Sequence, residues 1–475
     1  MTYRNLLKRI HAYPRTAGVP TLERMKLLCR YLGDPQKKLK FVHIAGTNGK
    51  GSVAAMLDSI LRISGYSTGR YISPYVLDFR ERMTFNGEMI SYTELSLYAK
   101  EVFKAAEKMQ ADIESVRNGG ESPYPIPKII LDGKTSQMPV QFEIVTAISF
   151  LYFLECGCDI VLLECGLGGK YDATNVIDPP LVSVIMSIGL DHTELLGETA
   201  IEIAEEKCGI IKQGTGEVIS YPQEPDVMSV IAKHSVEINA RLTFPFKNEF
   251  EVLQTTLGGL YFKYRGKEYK TKLAAAYQME NAAVAVEAAT ALGRLGMDIG
   301  YDRICEGLLK TRFPARFEVM GVTPTVIVDG AHNDSGISAF CRSVEAVLPN
   351  ISEGNLFFVL GMLRDKDPSK ALRPFVKLVE SGKLNVKKII TITPDSPRAM
   401  EAEELKKLIS QMLSGVAAVE IEAISTVGKS KIKDFSYAIR EVGQNDTLIT
   451  FGSLYLAAEL RPIISDFLDN YYFNN

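Results

Sequence analysis

The sequence predicts an α/β fold of two domains, each built on a mostly parallel sheet. Three observations carry this expectation. The chain has 475 residues, beyond the roughly 250–300 at which a single hydrophobic core stops growing. The buried-strand pattern Phe41–Ala45 turns through glycines into a stretch of helical periodicity over 53–63, a strand–loop–helix unit. From Val326 onward, short apolar runs alternate with helical stretches, which implies parallel strands covered by helices.

In chain order, Leu22, Met25, Leu27 and Leu28 sit at near-helical spacing, so the first forty residues include a helix. Residues 92–110 read as another. Residues 111–140 carry Gly119, Gly120, Pro123, Pro125, Pro127 and Pro139 with little periodicity. They read as a long loop or a small β excursion, with Ile129, Ile130 and Leu131 entering a hairpin at Asp132-Gly133. Helix resumes at 142–154, strands follow at 159–164 and 182–188, and a helix at 199–211. Residues 242–272 alternate apolar and polar side chains, a hairpin region, and 281–295 is an alanine-rich helix. The later series places strands at 326–329, 356–360, 388–393 and 447–451, with helices at 369–379 and 402–412. A helix ends before Pro314, so the expected division is a first domain over 1–309, a hinge at 310–314 and a smaller domain over 315–475.

Composition narrows the function classes. Lys and Arg total 54 against 57 acidic residues, a formal charge of −3, without the basic excess of a nucleic-acid binder. Apolar residues are 46% and charged residues 23%, ordinary globular usage. The apolar stretches at 144–154 and 160–163 are broken by Glu155 and Asp159 and fall short of the ~20 residues that span a bilayer. The first residues have no apolar run behind their charges, unlike a secretory leader. A cytoplasmic, monomeric protein that binds neither membrane nor nucleic acid is expected. Cys156 and Cys158 flank one glycine, but no second pair stands at zinc-site spacing. The thiols are expected to be reduced and buried.

The chemistry begins at Gly46, Thr47, Asn48, Gly49, Lys50, Gly51 and Ser52. A glycine turn between strand and helix presents backbone N–H groups and a positive helix end to an anion. Lys50 can pair with β/γ-phosphate oxygens, so the loop is read as an ATP site. Its spacing is shorter than GxxxxGK[ST], and Gly51 separates the lysine from Ser52, which argues against motors and GTPases. A phosphate site needs Mg²⁺, which prefers hard oxygen ligands. Glu164 ends an apolar strand, and His192 follows Asp191 beyond the next one. Both are candidate metal ligands at the carboxyl ends of strands, where ligands sit in α/β sheets. Lys207, beside Glu205 and Glu206, reads on its own as a solvated or ion-paired lysine. Asp329 and His332, in a turn after a β-rich run, could contact nucleotide or an amine substrate. Arg316 lies at the domain junction, where it could reach phosphate.

Ten blocks then fall in one order: HIAGTNGKGS (43–52), SPYVLDFRERM (73–83), LLECGLGGKYDATN (162–175), SIGLDHTELLGETAIEIAEEKCGIIK (187–212), ENAAVAVEA (280–288), FPARFEV (313–319), VDGAHN (328–333), GMLRDKD (361–367), DSPRA (395–399) and GSLYLAAELR (452–461). Together they resemble the folylpolyglutamate synthase/dihydrofolate synthase family, within the Mur-type ATP-dependent amide ligases. The resemblance implies a P-loop-containing parallel-sheet N-terminal ATPase domain and a smaller Rossmann-like α/β C-terminal domain. It implies that Lys50 binds ATP phosphates, that Ser73, Glu164 and His192 hold Mg²⁺, and that Lys207 matches a lysine that is carbamylated. Asn281, Arg316 and Asp329 correspond to ATP contacts, and His332 and Ser453 to blocks associated with the incoming glutamate. Arg80 and Arg82 belong to the loop near the pterin-bearing substrate. Lys50, Lys207 and His332 are the implied catalytic residues, and ATP, Mg²⁺ and a monovalent cation the candidate cofactors. The small-molecule partners would be L-glutamate with a folate or dihydropteroate. The implied reaction is glutamate addition to a folate-type carboxylate through an acyl phosphate, with closure at the hinge shutting out water.

Two rivals remain at this point. A cell-wall ligase acting on a UDP-sugar peptide would carry an added N-terminal domain, and about 40 residues before the loop are too few for a domain of typical size. A P-loop NTPase switch would want the longer loop and an Asp-ended metal strand. Tyr75 and Asp78, at positions where the family commonly has histidine and a basic or polar residue, leave dihydropteroate and reduced folate both open as acceptor.

Overall fold

The computed structural model describes residues 2–347, 354–415, 419–426 and 428–474. The chain forms two compact units, one of residues 1–246 with 283–307, the other of residues 247–282 with 308–475.

The first unit is an eight-stranded sheet. Its strands are β1 (Phe41–Ala45), β2 (Thr68–Tyr71), β3 (Met83–Phe85), β4 (Glu88–Met89), β5 (Ile160–Glu164), β6 (Val182–Ile185), β7 (Glu217–Ser220) and β8 (Arg241–Thr243). The spatial order is β4-β3-β2-β5-β1-β6-β7-β8. Only the β2–β3 and β3–β4 pairs are antiparallel. β1 lies between β5 and β6, and every residue of these three strands is buried. That double burial explains their near-continuous apolar runs. It also delivers three carboxyl ends side by side, where Gly46, Glu164 and the 186–192 segment begin.

Within residues 111–140, the stretches 118–127 and 132–140 hold no helix or strand, as the expected long loop would, while the hairpin is replaced by helix. The helix starting at Tyr92 runs on to Arg117, and Ile129, Ile130 and Leu131 lie in a short helix, Lys128–Leu131, that Asp132 and Gly133 end. Ile113 on the long helix and Ile130 on the short one are both fully buried in the same core. Tertiary burial therefore decides a stretch whose prolines and glycines hide its period. Arg24 anchors the same neighbourhood: Nε donates to Glu143 Oε2 at 2.7 Å and NH1 to Thr135 Oγ1 at 2.7 Å.

The second unit holds two sheets. β9 (Phe250–Thr256), β10 (Gly259–Tyr264) and β11 (Lys267–Thr271) form an antiparallel meander, matching the hairpin region expected from alternation. β12 (Glu318–Val322), β13 (Thr325–Val328), β14 (Leu356–Leu360), β15 (Val386–Ile392), β16 (Glu420–Ile424) and β17 (Thr447–Phe451) make a sheet of order β12-β13-β17-β14-β15-β16. It is parallel except for β12. Residues 247–282, expected within a domain over 1–309, group with this unit. Ala276 N–H donates to Ser343 Oγ at 3.0 Å, and Tyr277 hydroxyl donates to Asp329 at 3.0 Å. Among the described residues no helix is long and apolar enough to cross a membrane.

The Arg24–Glu143 pair is nearly solvent-free, with side chains 6% and 4% exposed. Breaking such a pair leaves one buried charge alone. Arg24→Met is expected to lower stability by about 3–5 kcal/mol, read as a fall in the urea midpoint.

Candidate active site

The glycine loop leaves β1 and enters the helix Lys50–Ile63. Its shape is set by contact with the segment that follows β6. A side chain at Gly46 would put its Cβ 2.5 Å from Met186 Cβ, so only glycine fits. Thr47 N–H donates to Ser187 O at 2.8 Å, and Thr47 Oγ1 donates to Gly189 O at 3.1 Å. Gly49 sits at φ 88°, a left-handed turn that glycine adopts without steric cost. The helix start is thereby aimed at whatever anion the loop receives.

Two lysines converge on this loop. Lys50 Nζ donates to Gly46 O at 3.0 Å and Thr47 O at 3.2 Å, and lies 3.9 Å from Glu164 Oε1. Lys207 Nζ donates to the same Gly46 O at 3.0 Å. Lys207 is not the solvated or ion-paired lysine its acidic neighbours suggest: it is 4% exposed. Burial, reinforced by the Lys50 charge, brings its pKa down to about 7. An amine near neutrality is nucleophilic where an ordinary lysine is not.

Glu164 ends β5, 5% exposed, and its Oε2 accepts Ser73 N–H at 3.2 Å. Ser73 Oγ accepts from Arg82 NH1 at 3.2 Å. One carboxylate near a serine and a lysine suits Mg²⁺, which takes one or two carboxylates and keeps its waters and substrate phosphates. Among the described residues no three His, Cys, Asp or Glu gather as a metal cage. His192 stands apart in character, at φ 52° with a side chain 41% exposed, its Nε2 3.9 Å from Asp191. Arg80 makes two contacts to Asp78, at 3.1 and 3.0 Å, and stacks 4.0 Å over Tyr92. Asp78 is thus occupied in holding that arginine.

The second unit assembles its own cluster. Asp329, 2% exposed, accepts from Phe317 N–H at 2.6 Å, Ala331 N–H at 2.6 Å and Tyr277 hydroxyl at 3.0 Å. Burial raises its pKa, and the Arg316 guanidinium and these donors oppose the rise. Arg316 NH1 donates to Ala315 O at 2.9 Å, with its guanidinium 5.1 Å from the Phe313 ring. His332 Nδ1 contacts Gly330 O at 2.8 Å; a carbonyl only accepts, so Nδ1 carries the proton. Asn281 Nδ2 donates to Gln278 Oε1 at 2.9 Å. Ser453 is 1% exposed and its Oγ accepts Tyr455 N–H at 3.1 Å, capping the helix Leu454–Asn474. Gly452 N–H donates to Ala331 O at 2.9 Å, which draws Ser453 and the His332 turn together. The sequence does not reveal Tyr277, because nothing in its local sequence points to Asp329, 52 residues on.

Residues 315–454 match the Mur ligase, glutamate ligase domain. The whole chain is 31% identical to the dihydrofolate synthase/folylpolyglutamate synthase of Bacillus subtilis (strain 168), over 97% of this chain and 98% of that protein. The chain belongs to that family. Its fold also matches family structures. Folylpolyglutamate synthase of Mycobacterium tuberculosis, solved with ADP and AMPPCP, superposes with a TM-score of 0.77 at 28% identity, covering 97% of this chain and 98% of that one. FolC of E. coli, solved with DHPP and ADP, gives 0.76 at 26% identity, covering 98% and 97%.

The fit of Gly46 against Met186 gives a direct test. Gly46→Ala forces a displacement of the loop, and overpacking of this kind costs about 1–3 kcal/mol. ADP binding measured by calorimetry is expected to weaken by roughly tenfold to a hundredfold.

Proposed function

We infer that this protein is an ATP-dependent ligase that joins L-glutamate to a folate-type carboxylate. The observation that carries the reading is the convergence of Lys50 and Lys207 on the Gly46 carbonyl, beside Glu164 and Ser73. A nucleotide switch has no need of a second, nearly neutral lysine under its phosphate loop.

The roles follow from charge and position. Residues 46–52 would cradle the phosphates through backbone N–H groups, with Lys50 neutralising charge that builds on the γ-phosphate. Mg²⁺, held by Glu164 and Ser73 with His192 as a further proposed ligand, would supply charge neutralisation on the phosphate oxygens. The acceptor carboxylate oxygen attacks the γ-phosphorus, and the β–γ bridging oxygen leaves with ADP. The glutamate amine then attacks the acyl carbon, phosphate departs, and the amine loses a proton. We assign Arg80 and Arg82 to the acceptor, Asn281, Arg316 and Asp329 to the nucleotide, and His332 and Ser453 to glutamate. With its proton on Nδ1, His332 has Nε2 as the nitrogen able to accept from an ammonium group.

Lys207 extends the metal chemistry. Its neutral amine nitrogen can add to CO₂ with release of one proton, turning the amine into an anionic oxygen ligand. The reaction needs the unprotonated form, which predominates above a pKa of about 7 and is lost as pH falls through it.

Purified protein with ATP, Mg²⁺ and L-glutamate is expected to release ADP when dihydropteroate or a reduced folate is added; silence with both acceptors would remove the assignment. Lys50→Met is expected to lower kcat by about 10²–10³, the cost of losing one preorganised charge at the reacting centre. With ¹³C-bicarbonate, a carbamate carbon signal is expected above neutral pH. It should fade on acidification and be absent from Lys207→Arg.

A further inference from the structure

We infer that His43 is a positioning residue for the phosphate and metal site, its ring donating from Nε2 to tie the strand before the glycine loop to the loop that leaves Glu164. The inference rests on the ligase reading of that site.

The order of protons in this buried network can be worked out from its end. Asp172 Oδ2 accepts the N–H groups of Gly166 at 3.0 Å and Leu167 at 2.8 Å. Its Oδ1 accepts Thr174 N–H at 3.0 Å and the Thr174 hydroxyl at 2.5 Å. Burial raises this carboxyl's pKa, and the four donors oppose the rise because they favour the carboxylate form. The Thr174 hydroxyl has one proton, and Asp172 Oδ1 at 2.5 Å takes it in preference to the weaker acceptor Cys165 Sγ at 3.5 Å. The contact of 2.8 Å between Thr174 Oγ1 and His43 Nε2 must therefore be donated by the ring. Cys165 Sγ lies 3.2 Å from the same nitrogen. His43 Nδ1 is buried with no hydrogen-bond partner among the described residues, as suits a bare lone pair better than a stranded N–H. Burial holds the ring's pKa well below its ordinary value, so the imidazole stays neutral.

The network joins three parts of the proposed phosphate site. His43 stands three residues before Gly46 on β1, and Cys165 follows Glu164 directly. The loop pinned by Asp172 continues to Gly169, where an added Cβ would lie 2.6 Å from Lys207 O. Lys170 N–H bonds Glu206 O at 2.8 Å, and Asn175 Nδ2 bonds both Lys170 O and Gly209 O. One run of contacts therefore sets the glycine loop, Glu164 and the helix of Lys207. If position 43 only filled the core, an apolar side chain would do so without burying an imidazole. Groups behind metal ligands act by fixing their orientation, and losing one commonly weakens metal binding tenfold or more.

Two measurements test this. Long-range ¹⁵N NMR of the intact protein is expected to show His43 as the Nε2–H tautomer, unchanged between about pH 6 and about pH 8, the range in which an ordinary histidine titrates. Mg²⁺ titrations of ADP binding by calorimetry are the second. Thr174→Val, which removes the hydroxyl with little change of shape, is expected to raise the half-saturating Mg²⁺ by about tenfold, and Thr174→Ser to restore it. His43→Gln, with an amide N–H in the place of Nε2–H, should stay near the parent, and His43→Leu should follow Thr174→Val. An Nδ1–H tautomer would overturn the inference. So would a lowered melting temperature in Thr174→Val and His43→Leu with unchanged Mg²⁺ dependence. If the parent protein bound no ADP, the ligase reading would fail, whereas the tautomer result would still stand or fall alone.

Discussion

The Gly46 carbonyl is the point on which the glycine loop and its two lysines are organised. It accepts from both Lys50 and Lys207, and it can do so only because the Gly46 backbone packs against Met186 with no side chain between. Two ammonium groups so close would repel strongly in a buried setting. The conflict is relieved by Lys207 shedding its proton near neutrality, while Lys50 keeps Glu164 within 3.9 Å. Local crowding and local charge thus act together: a backbone contact fixes the geometry, and the geometry makes one lysine an acid–base outlier.

The surrounding sheet explains why this arrangement is stable. β1, β5 and β6 are buried on both faces, so their ends are held by the core rather than by the loops themselves. The loops then need only short-range contacts to finish their shape. Thr47 meets Ser187 and Gly189, Ser73 meets Glu164, and Asp172 gathers the chain after Glu164. In the second unit Asp329 plays a similar part, accepting from residues 52 and 12 positions before it and 2 after it. In both units a buried carboxylate serves as the hub of backbone donors, which satisfies its charge and fixes loops that would otherwise be free to move.

The loop that carries Arg80 and Arg82 is differently built. Asp78 holds Arg80 and receives Tyr3 hydroxyl at 2.7 Å, while Glu81 accepts the N–H groups of Val76, Leu77 and Asp78. Charges that read as substrate contacts in the sequence are partly engaged in shaping the loop. Arg82 reaches Ser73 and lies 5.4 Å from the Tyr75 ring, which connects this loop to the phosphate site through a single serine.

Much of this protein was legible in the chain itself. The glycine loop, the strand ending in Glu164, the parallel series after Val326 and the ordered blocks of family motif depend on residues close in sequence. Spacing and periodicity report those directly. The helices within 111–140 were not legible, since their period is masked by prolines and glycines and only burial of Ile113 and Ile130 resolves it. Nor was the grouping of 247–282 with the second unit, or the partnership of Tyr277 with Asp329. The character of Lys207 is the plainest case. Its acidic neighbours suggest a solvated ion pair, and the fold instead buries it on Gly46, 161 residues away. The order of residue types along the chain is written in the sequence; which protons they carry was decided by burial and by partners distant in sequence, because desolvation and hydrogen bonding exist only once the chain has folded.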